Sequence, residues 1–334
     1  MTSYSSENPV FDIAMGYQRT AALIAAVRLD IFTVIGAETV SLDDLATRTS
    51  ASGRGLRILC DYLAVIGLLE KRDSHYALTH VARTFLDESA PLAMGKIVDF
   101  VAAPEILDLF LRDPESYVRR GGSSGLANVS PDHPVWVRFA KAAVPFAAAT
   151  AKRVAAHVAA LPDPPYTVLD IAAGHGLFGI EVAKILPEAL VTAVDWGQVL
   201  TVARANAEAA SVADRFRMLA GNALDMDWGS DFDLILIPNF LHHFDFDTCT
   251  SVLRKVKASL AVGGQALGID LVPNEDRVSP PTPAMFAFWM LATTPQGDAY
   301  TASELDEMAR NAGFHGATIR SLAPTPQSLI IFES

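Results

Sequence analysis

In V-L-D-I-A-A-G-H-G, Val168 to Gly176, an apolar strand bearing Asp170 runs into a turn built on Gly174 and Gly176. An amphipathic stretch, Leu177 to Leu186, follows, and V-T-A-V-D then brings Asp195 to the carboxyl end of a second strand. Strand, glycine turn, helix and strand-end acid are laid out as in a nucleotide-type cofactor site at the edge of a parallel sheet. Glycine lets a ligand approach the backbone with no Cβ in the way, and a carboxylate accepts from both hydroxyls of a ribose.

Gly174-His175-Gly176-Leu177-Phe178-Gly179 also satisfies the dinucleotide pattern G-x-G-x-x-G, so the glycines alone suit a pyrophosphate at a helix N-terminus. Asp170 separates the two cases. A carboxylate just before the turn repels a pyrophosphate, whereas a cofactor with an amino-acid tail and no phosphate fits beside it. The region resembles the first motif of class I S-adenosylmethionine (SAM) methyltransferases. A glycine turn that only packs a helix on a sheet is the plainer alternative, and two correctly spaced strand-end acids weigh against it.

At 334 residues the chain is long for one core, and two domains are expected. Hydrophobic residues make up 51% and the mean hydropathy is positive, which is ample for a core and a subunit interface. The formal net charge of −12 argues against nucleic acid as the main partner, since phosphate neutralisation needs clustered Lys and Arg. No apolar run reaches membrane-spanning length, and M-T-S-Y-S-S-E-N lacks the basic and apolar parts of a signal peptide. Cys60 and Cys249 are read as free thiols of a cytoplasmic protein, and neither has a partner at metal-ligand spacing, so no metal is expected.

From Phe11 to Ile35 the pattern is helical, with Ala22, Ala25, Ala26, Leu29 and Phe32 on one face. Ser41 with Asp44 three residues on is a variant capping box. A helix from about Gly53 to Ile66 and two short strands, Leu68–Lys71 and His75–Leu78, complete a winged-helix arrangement. Such modules often bind DNA. Here residues 1–100 hold nine Lys and Arg against twelve Asp and Glu, and the Gly53–Ile66 helix is mostly apolar, so dimerisation is the expected role. Gly121-Gly122-Ser123-Ser124-Gly125 reads as a flexible loop or an ordered turn without function, and Phe139 to Ala160 as one long helix. L-P-D-P-P, Leu161 to Pro165, then breaks the chain. The expected division is 1–155, winged-helix-like, and 156–334, cofactor-binding. In the second part strands and helices alternate, which demands a largely parallel sheet with helices on both faces.

Asn222 and Ala223 follow the third strand, Phe216 to Ala220, where the Asn222 amide can bond an adenine or serve as an ordinary turn residue. The fourth strand leads through I-L-I-P-N-F-L-H-H-F-D, Ile235 to Asp245. Two histidines just past a strand end, beside the cofactor turn, are where an acid–base group belongs. One is expected to be catalytic and the other structural.

The winged-helix-like start, the first motif, L-H-H-F-D and A-G-F at Ala312–Phe314 together resemble the plant-caffeate and bacterial small-molecule O-methyltransferase family, over Phe11 to Phe332. The resemblance implies a Rossmann-like α/β class I domain with a seven-stranded, mostly parallel sheet, behind a mainly helical dimerisation domain. It implies SAM held by Asp170, Gly174, Gly176, Asp195, Asn222 and Ala223, a small aromatic acceptor and a homodimer. The family's base falls on His242. His243 stands where the family usually has Asp, and Phe244 where it has Trp. The first of two acids that orient the base falls on Asp270, one carbon shorter than the usual Glu. The second falls on Ala299, with Asp298 one residue away as the candidate substitute. Phe139, Phe286, Trp289 and Met290 are expected to line an apolar acceptor pocket, although core packing explains them nearly as well. Transfer to carbon or nitrogen, a SAM-binding regulator and a dinucleotide dehydrogenase remain alternatives.

Overall fold

The computed structural model describes residues 9–125 and 133–334. The chain divides into two compact units, one ending at Ile106 and the other beginning at Leu107.

The first unit opens with α1 (Pro9–Ala14), α2 (Gly16–Arg28) and α3 (Ile31–Ile35) in place of the single helix expected from Phe11 to Ile35. The pattern is cut where Asp30 takes a left-handed backbone (φ 53°) after Leu29 has capped α2. Two helices and a hairpin follow: β1 (Val40–Ser41), α4 (Leu42–Thr49), α5 (Gly53–Val65), β2 (Leu69–Arg72) and β3 (His75–Leu78). Ser41 caps α4 by accepting from Asp44 N–H, as its spacing predicts. Leu56, Cys60 and Leu63 on α5 bury against Phe32, Leu45 and Tyr76, and the three strands pair in the order β1-β3-β2. α6 (His80–Phe85) and α7 (Val98–Val101) follow the hairpin, and α8 (Pro104–Leu111) spans the division.

α9 (Pro114–Arg120) and the 26-residue α10 (Pro134–Ala159) open the rest of the second unit. The boundary expected near residue 155 falls inside this unit. The reason is the apolar stripe Ala147, Ala151, Val154, Ala155 and Val158 on α10, which joins the core built on Val168, Ile180 and Val182.

That core covers one face of a seven-stranded sheet ordered β6-β5-β4-β7-β8-β10-β9. The parallel strands are β4 (Thr167–Ile171), β5 (Leu190–Asp195), β6 (Phe216–Ala220), β7 (Phe232–Pro238) and β8 (Leu260–Asp270). β9 (Gly316–Ser321) and β10 (Ser328–Glu333) close the edge beyond β8, with β10 antiparallel to both β8 and β9. Along β7, Leu234 and Leu236 face one core while Ile235 and Ile237 face the other, as a strand buried on both sides requires. The covering helices are α11 (Leu177–Ile185), α12 (Gly197–Ala209), α13 (Phe246–Ser259) and α15 (Ala302–Asn311), while α14 (Pro281–Thr293) packs against α9. Strand order reverses between β4 and β7, and ligands of open α/β sheets bind outside the strand ends at such a point. No helix among the described residues is long and apolar enough to cross a membrane.

Candidate active site

The first turn is held by the two acids that the sequence singles out. Gly174 (φ 57°) donates its N–H to Asp195 Oδ2 at 2.8 Å, and Trp196 N–H donates to Oδ1 at 2.7 Å. A carboxylate has about four lone-pair sites, so two remain for outside donors. Burial pushes the Asp195 carboxyl up to about 6 against those two backbone bonds. Asp170, fully buried, accepts from Gly179 N–H at 3.0 Å through Oδ2, while its Oδ1 has no partner. Burial, opposed by the Gly179 bond, and the nearby Asp195 charge raise its carboxyl to about 7. Gly179 has to be glycine, since a Cβ there would lie 2.8 Å from Val191 Cγ1 and 3.0 Å from Asp170 Oδ2. At Gly176 the αL backbone (φ 75°) and Ala203 of α12 exclude a side chain.

His175 and Asn206 complete the turn, and the sequence had pointed to neither. His175 Nδ1 accepts from Leu177 N–H at 3.1 Å, and its carbonyl accepts from Asn206 Nδ2 at 2.8 Å. Burial lowers the imidazole to about 4, so it stays neutral with its proton on Nε2. Asn222 uses its amide within its own turn, giving Nδ2–H to Asp225 and accepting from Leu224 N–H through Oδ1. One hydrogen and one lone pair remain on it. Beside it Ala223 is buried, and its carbonyl accepts from Lys255 Nζ at 3.1 Å.

β7 ends in Pro238, and Asn239 (φ 51°) then turns the chain. Its N–H donates to Ile269 O at 2.7 Å, and its Oδ1 accepts from Gln327 Nε2 at 2.6 Å. This turn leads into a 3-10 segment, Leu241–His243. His242, buried, holds Asp270 Oδ1 through Nδ1 at 2.7 Å, and Leu271 N–H donates to the same oxygen. An ionised carboxylate only accepts, so the proton of neutral His242 sits on Nδ1 and Nε2 keeps its lone pair. Asp245, not a histidine, caps α13, accepting from Thr248 N–H at 2.7 Å.

His243 lies beside His242, its ring 4.4 Å from the other. Burial and the neighbouring imidazole drive its pKa well below the usual histidine range, which makes it a poor place to put a proton. Asp298 meets the His242 segment through backbone only, its N–H donating to His242 O at 3.0 Å. Its carboxylate accepts from Ala299 N–H and pairs with Arg277 at 3.4 Å. Ala299 is buried. Among the described residues, the acid paired with His242 is Asp270.

Phe286 of α14 meets the His242 ring edge-on at 4.8 Å. Trp289 packs on Phe110 at 4.9 Å, Met290 is buried, and Phe139 on α10 is 38% exposed. Gly297 is a further residue that sequence reasoning missed. A Cβ on it would lie 2.3 Å from His242 O, so only glycine lets this loop close on the histidines.

Residues 126–315 match the O-methyltransferase domain, and residues 11–88 match the O-methyltransferase dimerisation domain. The chain belongs to the O-methyltransferase family. It is 26% identical to the 3-hydroxy-5-methyl-1-naphthoate 3-O-methyltransferase of Streptomyces sahachiroi, covering 96% of this chain and 93% of that one. The phenazine O-methyltransferase PhzM of Lysobacter antibioticus is 24% identical, with coverage of 96% and 93%. Among solved structures, a Nostoc punctiforme protein proposed to be an O-methyltransferase is 44% identical, with a TM-score of 0.93 over 99% of this chain and 100% of that one. The human N-acetylserotonin methyltransferase bound to SAM shares the fold, with a TM-score of 0.81, 19% identity and 99% coverage of both chains.

The methyl donor of this O-methyltransferase is SAM. The residues at the strand ends fit such a group. A turn with glycine at 174 and 176, an acid with spare lone pairs and the partnerless Oδ1 of Asp170 suit ribose hydroxyls and an amino-acid tail better than a pyrophosphate.

Proposed function

We propose that this O-methyltransferase methylates a hydroxyl of a small aromatic metabolite, with His242 as general base. The buried pairing of His242 Nδ1 with Asp270 Oδ1 at 2.7 Å carries the reading. Bound SAM supplies a sulfonium methyl group. His242 Nε2 would take the proton that the acceptor hydroxyl gives up on methylation, and Asp270 would stabilise the imidazolium that forms. General-base help of this kind is worth roughly 10²–10⁴-fold, and alignment of acceptor and methyl supplies more. The edge-on Phe286 ring beside His242 supports a flat apolar acceptor. On the same reading Asp170, Gly174, Gly176, Asp195, Asn222 and Ala223 hold the cofactor, Phe139, Phe286, Trp289 and Met290 line the acceptor pocket, and the enzyme acts as a cytoplasmic homodimer.

Transfer to carbon or nitrogen is the second reading, favoured by Ala299 and by the engagement of Asp298 with Arg277. A panel of a hydroxynaphthoate, a hydroxyphenazine and N-acetylserotonin, with product mass and methyl position read out, tests both. O-methyl products are expected. His242→Gln should lower turnover by about two to four orders of magnitude with SAM affinity unchanged, and His243→Gln should cost far less. C- or N-methyl products, or a larger loss in His243→Gln, would sink the base assignment.

A further inference from the structure

Gly122, Ser123 and Gly125 grip the carbonyl end of α14. Carbonyls in the last turn of a helix lack intrahelical partners and must find others. Ser123 Oγ donates to Ala292 O at 2.6 Å, and Ser123 N–H donates to Thr294 O at 2.9 Å. The approach is close enough to demand glycine on either side. A Cβ on Gly122 would lie 1.9 Å from Pro295 O, and one on Gly125 would lie 2.0 Å from Thr293 O. The segment just before the grip also holds α14, with Tyr117 of α9 meeting Phe288 at 6.0 Å and Phe110 meeting Trp289 at 4.9 Å.

What is gripped leads to His242 from both directions. Within α14, Phe286 rests against the imidazole at 4.8 Å. Beyond its end, Thr294 Oγ1 donates to Met290 O at 2.7 Å and accepts from Gly297 N–H at 2.8 Å. Gly297 and Asp298 then close on the His242 carbonyl, and Tyr300 OH donates to Phe244 O at 2.5 Å. The base is thus held between the body of α14 and the loop that leaves it.

We propose that Gly122, Ser123 and Gly125 form a positioning clamp for the catalytic histidine. By fixing the end of α14 they set Phe286 and the Gly297–Asp298 backbone against His242, and so set where Nε2 points. The proposal rests on His242 being the base, but the clamp itself can be read without turnover.

Hydrogen–deuterium exchange on the full chain compares wild type with Gly125→Ala, whose Cβ forces the turn off Thr293. Gly121→Ala is the control, because Gly121 also has a positive φ (75°, against 36° at Gly125) but a Cβ there meets nothing within 4 Å. In Gly125→Ala, exchange in peptides covering 240–244 and 296–301 should rise about tenfold, while the peptide covering 170–180 stays as in wild type. With the best acceptor of the panel, kcat should fall about 10–100-fold and SAM affinity by calorimetry should stay within about twofold, the pattern of a misplaced base. Ser123→Ala, a milder change, should lower kcat roughly three- to tenfold in the same pattern. Wild-type exchange at 240–244 in Gly125→Ala, or equal losses in Gly121→Ala, would overturn the clamp. Full activity in His242→Gln, with the exchange coupling intact, would overturn the base and leave the mechanical link standing.

Discussion

Asp195 shows how one residue can be read from sequence and still surprise in structure. Its place at a strand end, one turn from Gly174, was visible in V-T-A-V-D. Its two backbone bonds and its raised carboxyl pKa were not, because both follow from burial that only the folded turn creates. A protonated carboxyl loses acceptor capacity toward ribose hydroxyls, so SAM binding should weaken as pH falls through about 6. Calorimetry between pH 5 and 8 should show affinity rising with pH, by about tenfold per unit or more at the acid end, and levelling only above pH 7, where Asp170 too is ionised. Asp195→Asn should remove the part of that slope centred near pH 6, leave the part that Asp170 contributes near pH 7, and weaken binding at neutral pH by roughly 1.5–3 kcal/mol. A flat wild-type profile, or an unchanged slope in the variant, would take Asp195 out of the cofactor site. The histidine pair was legible for a similar positional reason, and Asp270 only through the family resemblance. Gly297 was not, since its need for glycine arises against a carbonyl that lies far from it in sequence.

At the scale of elements, the five parallel strands were legible because each is a short apolar run ended by a turn residue. β9 was not: G-A-T-I-R-S is half exposed on a sheet edge, so little apolar pattern marks it. Nor did the chain reveal that α13 supports the loop after β6. From α13, Lys255 Nζ donates to the carbonyls of Ala223, Leu224 and Met226 at 3.1, 3.4 and 2.6 Å, and it lies 3.6 Å from the Trp228 ring centre. Burial lowers its pKa against the opposing pull of the Asp225 and Asp227 carboxylates, and the ring face also favours the charged ammonium. An ammonium can reach three converging acceptors that a planar guanidinium cannot match. Lys255→Met should therefore cost about 1–2 kcal/mol of stability in urea melts and raise KM for SAM several-fold with little change in kcat. Lys255→Arg should restore only part of this. A fall in kcat with KM unchanged would mean that the loop serves the acceptor side instead.

At the scale of the whole molecule, the early domain boundary has a plain cause. A long alanine-rich helix looks like the end of a helical domain, yet its stripe from Ala147 to Val158 is complementary to the sheet that follows, and burial outranks sequence neighbourhood. The match of residues 11–88 to a dimerisation domain bears on the other unit. There α1 buries none of its residues, and Val10, Phe11, Ile13 and Tyr17 are between 57% and 81% exposed on this single chain. Fully burying one such aliphatic side chain is worth roughly 1.5–3 kcal/mol, so a few on each protomer can hold two copies together. Light scattering at micromolar concentration should give twice the 35.8 kDa of the chain. Ile13→Asp, a charge placed on the most exposed of these positions, should shift the equilibrium toward monomer with the circular dichroism spectrum unchanged. A wild-type monomer would refute dimerisation under these conditions. A variant that stays as firmly dimeric as wild type would move the interface away from α1, to the apolar positions further along the first unit such as Ile58 and Val65, which are 43% and 57% exposed.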